Sequence, residues 1–217
     1  MTINNKTIVL DLDDTLYSEI DYLKSAYKYI ASKISDNPDN LYAIMLEKYE
    51  LGENVFDYLE TELNVSKSSL LDYYRFHKPD IEPYDGVMAF LHKLSQSYKF
   101  SIVTDGRSQT QRNKIQALGL ELFLSNIVIS EEVGSEKPNI INFQKAIVGL
   151  NSKKNFYIGD NIKKDFVTPN KMGWTTICLK DSGQNIHKQD FCFPDDYLPN
   201  YCFSSWSEIH SFFNSQC

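Results

Sequence analysis

The sequence predicts an α/β fold with a Rossmann-like, doubly wound parallel sheet as its core and an inserted α-helical cap domain. After residue 79, short β-branched segments alternate with segments of helical periodicity, which is typical of a parallel sheet with helices on both faces. Residues 18–78, by contrast, show helical periodicity alone. We therefore expect the core to consist of residues 1–17 and 79–217, and the cap of residues 18–78.

The first predicted strand is the nearly continuous apolar run at residues 7–12, as expected of a strand buried on both faces. From Glu19 onward the apolar positions follow helical spacing, and the Asn37-Pro38 pair indicates a stop and a new start. We therefore expect four helices in succession with no strand between them. Their apolar positions are Ile20, Leu23, Tyr27, Ile30, Ile34, Leu41, Ile44, Met45, Tyr49, Val55, Leu59, Leu63, Leu70, Leu71 and Tyr74.

The rest of the chain alternates between the two patterns. Ser205 and Glu208 form a capping-box signature for a final helix. Residues 181–198 follow neither pattern, and we expect an irregular excursion to which the sequence assigns no role. The other expected elements are helices at residues 87–94, 108–118 and 140–148 and strands at residues 99–105, 126–129, 155–160, 173–179 and 201–203.

Composition excludes several classes of function. The 217-residue chain has a net charge of −7 and no cluster of lysine and arginine, so we expect no nucleic-acid partner. Its apolar runs are too short to span a membrane, and its N-terminus lacks the pattern of a secretory signal, so we expect a cytoplasmic protein without membrane association. The four cysteines form no C-x-x-C pair and the four histidines are scattered, so no zinc site is expected.

Polar side chains follow three of the predicted strands. Asp11 and Asp13 come after the first, Thr104 and Asp105 end the second, and Asp160 ends a third. The carboxyl ends of parallel strands meet at one edge of a sheet, and carboxylates gathered there repel one another unless a cation lies among them. Oxygen-only ligands favour Mg²⁺, and a carboxylate beside such a metal can attack phosphorus as a nucleophile.

Four segments, taken in order, resemble the motifs of the haloacid dehalogenase superfamily. Residues 11–16 resemble its D-x-D-x-T signature, and residues 102–106 resemble its second motif, a Ser or Thr at a strand end. Residues 135–138 resemble the third, a Lys before Pro, and residues 158–161 followed by Asp165 resemble the fourth, an acidic pair. The helical insert after the first motif resembles the cap of the subfamily that contains many small-metabolite phosphatases.

The resemblance implies a role for each acid of these motifs. Asp11 would be the nucleophile that forms an aspartyl-phosphate, and Asp13 would be the general acid and base. Mg²⁺ would be held by Asp11, the backbone carbonyl of Asp13, Asp160 and Asp165. Asp165 would act directly, through water, or by orienting Lys137.

The resemblance also implies a phosphate site. The Thr104 hydroxyl and the Lys137 ammonium would hold the phosphoryl oxygens and balance their charge. Backbone N–H groups after Asp11 and near Asp105 would cradle the phosphate.

Three further residues are weaker candidates for substrate contact. Arg107 lies on the catalytic edge and could reach a substrate anion, or it could be solvated or locally paired. Tyr17 begins the linker into the cap, and His77 lies near the return linker, where a packed histidine is the commoner outcome.

These observations favour a Mg²⁺-dependent phosphatase for a small phosphorylated metabolite, acting as a monomer or homodimer. The candidate substrates are a sugar phosphate, a nonulosonate phosphate and a nucleotide. A phosphomutase and a non-catalytic regulatory protein with the same fold are the alternatives. Carbon–halogen hydrolysis is not expected, because family members with that activity lack the second acid of the first motif, which is Asp13 in this chain.

Overall fold

The computed structural model describes residues 5–215, and its core is one six-stranded, all-parallel sheet. The strand order is β3-β2-β1-β4-β5-β6, so β1 lies in the middle of the sheet. From β1 the chain adds β2 and β3 on one side, and it then adds β4, β5 and β6 on the other side. This order confirms the doubly wound α/β class. The strands are β1 (Lys6–Leu10), β2 (Lys99–Thr104), β3 (Leu124–Ile129), β4 (Lys154–Gly159), β5 (Thr175–Leu179) and β6 (Tyr201–Phe203).

Ten α-helices accompany these strands within residues 5–215. All the helices expected from periodicity are present, but two short ones, α7 and α9, were not expected. They are α1 (Glu19–Ile34), α2 (Pro38–Glu50), α3 (Val55–Leu63), α4 (Lys67–Phe76), α5 (Val87–Leu94), α6 (Ser108–Ala117), α7 (Ser130–Val133), α8 (Ile140–Ala146), α9 (Val167–Lys171) and α10 (Trp206–Asn214).

The strands that carry the acids end earlier than the sequence predicts. The run at residues 7–12 leaves the sheet after Leu10, and the strands predicted to reach Asp105 and Asp160 each end one residue before the acid. In each case the chain turns out of the sheet at the acidic residue, so the carboxylate lies in a loop above the strand end.

Side chains of the central strand alternate between two separate cores. Ile8 and Leu10 belong to the core beneath α5, α6 and α10, while Val9 between them belongs to the core beneath α8. Both faces of the sheet are therefore covered by helices, as expected of a doubly wound parallel sheet.

Helices α1–α4 form the helical insert and share a core of their own. Asn37, Asn54 and Ser66 cap the first turns of α2, α3 and α4, because their side chains accept hydrogen bonds from backbone N–H groups. All four helices lie inside residues 18–78, the predicted cap, whose exact boundaries stay a prediction. The buried members of the core are Leu23, Tyr27, Ile30, Ala31, Leu41, Met45, Val55, Leu59 and Leu70.

Residues 181–198 are irregular, as expected, apart from one 3₁₀ turn at Asp195–Tyr197. Among residues 5–215, no helix combines the length and the apolar character that crossing a membrane would require.

Trp206, at the start of α10, anchors the loop that follows β1 by a hydrogen bond. Its indole N–H donates to the backbone carbonyl of Thr15 at 2.9 Å, and its ring packs against Phe90 with ring centroids 5.0 Å apart. The side chain is almost fully buried. The final helix therefore supports the loop that carries the first motif.

We expect Trp206→Phe to lower the free energy of unfolding by about 2–3 kcal/mol, because it leaves the Thr15 carbonyl without a donor and opens a cavity. Urea unfolding monitored by circular dichroism measures this change. Leu122→Ala, at a side chain that is 95% exposed, is the control and should stay within about 0.5 kcal/mol of the unchanged protein. Equal effects of the two substitutions would contradict this role of Trp206.

Candidate active site

Five of the predicted site residues line one cavity of about 150 Å³ at the carboxyl ends of β1, β2 and β4. Ten residues line the cavity, and five of them are the predicted site residues. The predicted ones are Asp11, Asp13, Thr104, Asp105 and Asp160, and the others are Asp14, Glu19, Asn161, Lys164 and His187. Parallel strand ends gather these groups because the sheet is wound in both directions from β1.

Asp11, the first acid of the first motif, is buried. Its backbone N–H donates to the carbonyl of Ile158 at 2.9 Å, which fixes the loop against β4. Its carboxylate accepts a hydrogen bond from the Thr15 hydroxyl at 3.2 Å and contacts the Lys137 ammonium. Burial raises the pKa of Asp11 to about 7, although Lys137 opposes this shift.

Lys137 supplies a buried positive charge to the site. Its ammonium contacts Asp11, lies 2.7 Å from a carboxylate oxygen of Asp165, and donates to the Tyr157 hydroxyl at 3.3 Å. Burial alone would lower the pKa of Lys137, but the two carboxylates raise it well above its usual range. The two carboxylates therefore stabilise the charged form of the side chain.

Asp165 is held in place by several neutral donors. Its carboxylate accepts hydrogen bonds from the Tyr157 hydroxyl at 3.1 Å and from the backbone N–H groups of Asn161 at 2.9 Å and Asp160 at 3.2 Å. Gly159 makes this possible, because a Cβ atom at that position would lie 2.5 Å from a carboxylate oxygen of Asp165. A glycine is therefore required at the end of β4.

Three buried acids form a group that fits a divalent cation. One carboxylate oxygen from each of Asp11, Asp160 and Asp165 lies within 4.8 Å of the others. Burial, followed by the charges of Asp165 and Asp11, raises the pKa of Asp160 well above its usual range, which reflects more negative charge than Lys137 balances. Ligand atoms that are all oxygen suit Mg²⁺.

The Asp13 carboxylate lies outside this group and contacts α6 instead. It accepts hydrogen bonds from the Tyr17 hydroxyl, from the Gln111 amide at 2.8 Å and from the Lys114 ammonium at 2.6 Å. Burial would raise the pKa of Asp13, but Lys114 and these donors together lower it. Of the four acids predicted to ligate the metal, Asp13 is thus the one whose side chain lies elsewhere, and the role of its backbone carbonyl stays a prediction.

The predicted phosphate-binding residues lie on both sides of the acids. Thr104, almost fully buried, accepts a hydrogen bond from the Gln111 amide at 2.6 Å. The Asp105 carboxylate accepts one from the backbone N–H of Lys137 at 3.0 Å and one from the Lys164 ammonium at 3.0 Å. Asp105 therefore fixes the loop that carries Lys137.

The three candidates for substrate contact are placed differently. Arg107 is exposed and pairs with Glu131 at 2.7 Å. Tyr17 is fully buried and contacts Asp13, and His77 is buried and hydrogen-bonded to the Tyr74 carbonyl at 2.9 Å. The placement of Tyr17 and His77 favours a role in positioning other residues over contact with substrate.

A larger cavity of about 500 Å³ lies between the helical insert and the core. It shares the lining residues Asp13, Glu19 and Asp105 with the smaller cavity, so the two cavities adjoin. Arg107 lies on its wall, together with Arg75. Its aromatic lining residues are Tyr22, Tyr27, Phe56 and Tyr74.

Sequence reasoning missed Gln111 and Lys114, although a signal for them exists. Three of the four buried residues of α6, namely Thr110, Gln111 and Lys114, are polar or charged, and the fourth is Ile115. Polar and charged side chains on the buried face of a helix need partners there, and they mark a helix that faces a site rather than a core.

We expect Lys137→Met to lower the free energy of unfolding by about 3 kcal/mol in a chelator, because it leaves Asp11 and Asp165 buried without their counter-charge. Mg²⁺ should restore part of this loss. Urea unfolding with EDTA or with Mg²⁺ measures both effects, and the exposed Lys163→Met is the control. If Mg²⁺ stabilised neither the unchanged protein nor Lys137→Met, the three acids would not be a metal site.

Comparison with known proteins agrees with this geometry. Residues 8–179 match the family model described as haloacid dehalogenase-like hydrolase. The glyceraldehyde 3-phosphate phosphatase of Methanocaldococcus jannaschii is 25% identical over 94% of this chain and 95% of its own. The pyrimidine 5'-nucleotidase YjjG of Escherichia coli is 28% identical over 58% of this chain and 55% of its own.

A solved structure shows the same fold. The HAD-hydrolase YfnB of Bacillus subtilis, solved bound to magnesium, superposes with a TM-score of 0.67 at 20% identity, over 96% of this chain and 98% of that one. The family model covers most of the chain, and the four motifs lie inside it. The chain therefore belongs to the haloacid dehalogenase-like hydrolase family and groups with the phosphatases of that family.

Proposed function

We propose that the chain is a Mg²⁺-dependent phosphatase that hydrolyses a small phosphorylated metabolite through an aspartyl-phosphate on Asp11. The observation that carries this proposal is the group formed by Asp11, Asp160 and Asp165, with the Lys137 ammonium in contact with two of the three. The names of the relatives, which include phosphatases and a nucleotidase, support it.

The residues present fit Mg²⁺. Asp11, Asp160 and Asp165 would hold the ion, together with the backbone carbonyl of Asp13. When bound, Mg²⁺ offsets the negative charge of the acids and polarises a phosphoryl oxygen.

Asp11 and Asp13 would divide the reaction between them. A carboxylate oxygen of Asp11 forms a bond to phosphorus while the bond from phosphorus to the substrate oxygen breaks, and that oxygen takes a proton from Asp13. A water molecule then gives a proton to Asp13 and attacks phosphorus, which releases inorganic phosphate and the Asp11 carboxylate. Lys137 and Thr104 hold the phosphoryl oxygens throughout.

Lys114 would supply the proton that Asp13 delivers. Its ammonium lies 2.6 Å from the Asp13 carboxylate and is itself almost fully buried. As the leaving oxygen takes a proton from Asp13, a proton passes from Lys114 to Asp13. The proton released by water returns along the same path.

The larger cavity would receive the rest of the substrate. Its volume of about 500 Å³ suits a small metabolite, and its wall offers two arginines beside aromatic rings. Sugar phosphates, nonulosonate phosphates and nucleotides fit this description. A cytoplasmic location and a monomer or homodimer stay predictions.

We expect Asp11→Asn to reduce phosphate release from p-nitrophenyl phosphate in Mg²⁺ by about 10³-fold or more, because the amide is a much poorer nucleophile than the carboxylate that forms the proposed covalent intermediate. A colorimetric assay of kcat measures this loss, and EDTA should abolish the activity of the unchanged enzyme. The exposed Asp36→Asn is the control. If Asp11→Asn kept a tenth of the activity, the nucleophile would be misassigned.

Lys114→Met should affect substrates unequally. Kcat should fall by about 10²-fold for a primary alkyl phosphate, whose leaving oxygen needs a proton, and much less for p-nitrophenyl phosphate, whose leaving group departs as an anion. Steady-state kinetics on both substrates measure the difference. Arg112→Met, at an exposed position of the same helix, is the control. An equal fall on both substrates would show that Lys114 is merely structural.

A further inference from the structure

The segment that follows β5 turns back toward the catalytic cavity. The Asp181 carboxylate starts this turn, because it accepts hydrogen bonds from the backbone N–H groups of Gly183 at 2.6 Å and Asn185 at 3.0 Å. The turn directs Asn185 inward, and only 5% of this residue is exposed although its neighbours Gln184 and His187 lie at the surface. A segment without periodicity thus places one buried amide beside the site.

Asn185 contacts a residue of the acidic group. Its side-chain amide donates to a carboxylate oxygen, Oδ2, of Asp160 at 2.9 Å. The Gln189 side chain donates to the backbone carbonyl of Asp160 at 2.8 Å and to that of Leu179 at 2.8 Å. The segment therefore holds both the side chain and the backbone of Asp160.

The same segment is fastened to the loop of the first motif. The backbone N–H of Ile186 donates to one carboxylate oxygen of Asp14 at 3.0 Å, and that of Glu19 donates to the other at 2.8 Å. Asp14 has a left-handed backbone, with φ of 54°, and is almost fully buried. It joins the segment to the first turn of α1, so the position of Asn185 is set by contacts with the core on two sides.

We propose that Asn185 is a positioning residue for Asp160 in the metal site. This inference rests on the proposed function, because it takes Asp160 to be a metal ligand. A carboxylate ligand is usually oriented by a hydrogen bond from a second group, and the loss of that group weakens metal binding. An amide suits this position because it donates a hydrogen bond to the Asp160 carboxylate and, being uncharged, leaves the negative charge of the acidic group available to the metal.

If Asn185 served only to close the turn that begins at Asp181, its backbone N–H would be sufficient. The hydrogen bond that closes the turn comes from its backbone N–H, and Asn185→Ala leaves that bond intact. The substitution removes the side-chain contact with Asp160 and little else, so it separates the two roles.

The test measures metal binding rather than turnover. Mn²⁺ serves as a spectroscopic substitute for Mg²⁺, since both prefer oxygen ligands, and its binding to the full chain is followed by electron paramagnetic resonance. We expect Asn185→Ala to weaken Mn²⁺ affinity by about tenfold or more. Gln184→Ala removes an exposed amide from the preceding position and is the matched control. Affinities within about twofold of each other for the two variants would overturn the inference.

Two further measurements separate the possible failures. If Asp160→Asn leaves Mn²⁺ affinity unchanged, Asp160 is not a metal ligand, and both the proposed metal site and the role of Asn185 are contradicted. If Asp160→Asn weakens Mn²⁺ affinity and Asn185→Ala does not, only the role of Asn185 is contradicted. In the unchanged protein, Mn²⁺ should slow hydrogen exchange in residues 181–190 severalfold and leave the loop at residues 149–153 unaffected. If the rate of hydrogen exchange in residues 181–190 is the same with and without Mn²⁺, the role of Asn185 is also contradicted.

Discussion

The close approach of three buried carboxylates is the constraint on which the rest of the site depends. Oxygens of Asp11, Asp160 and Asp165 lie within 4.8 Å of one another, and like charges repel strongly where water is excluded. The Lys137 ammonium, which contacts Asp11 and Asp165, offsets part of this repulsion, and neutral donors such as the Tyr157 hydroxyl hold Asp165 in place. One positive charge against three carboxylates leaves a negative excess, and that excess makes the group suitable for a divalent cation.

Much of this arrangement follows from the sequence because it depends on strand ends. A buried strand can be recognised from its apolar run. In a parallel sheet, the carboxyl ends of all the strands lie at the same edge. Asp11, Thr104 and Asp160 could be placed together on those grounds alone. The position of Lys137 could not, because it lies in a loop, and only the resemblance to a family placed it beside Asp11.

The remaining contacts depend on where side chains from distant parts of the chain point. Lys114 and Gln111 meet Asp13 across about a hundred residues of sequence, after α6 has packed with a polar face toward the site. Asn185 reaches Asp160 through a segment whose path is set by single hydrogen bonds rather than by periodicity. Pattern analysis locates regular elements, but it carries no information about the return path of an irregular segment or about the rotation of a helix.

The surroundings of the first two acids differ, which suits the two tasks that the proposed mechanism gives them. Asp11 faces inward, where the side chain is 7% exposed and contacts the charge of Lys137. The Asp13 side chain is 20% exposed, lies on the wall shared by both cavities and is held by α6. A phosphoryl group in the smaller cavity would therefore meet Asp11 on its inner side, and its leaving oxygen would face Asp13 and the larger cavity. In the proposed mechanism, the packing of the polar face of α6 would therefore set the position of the general acid relative to both the phosphoryl group and the rest of the substrate.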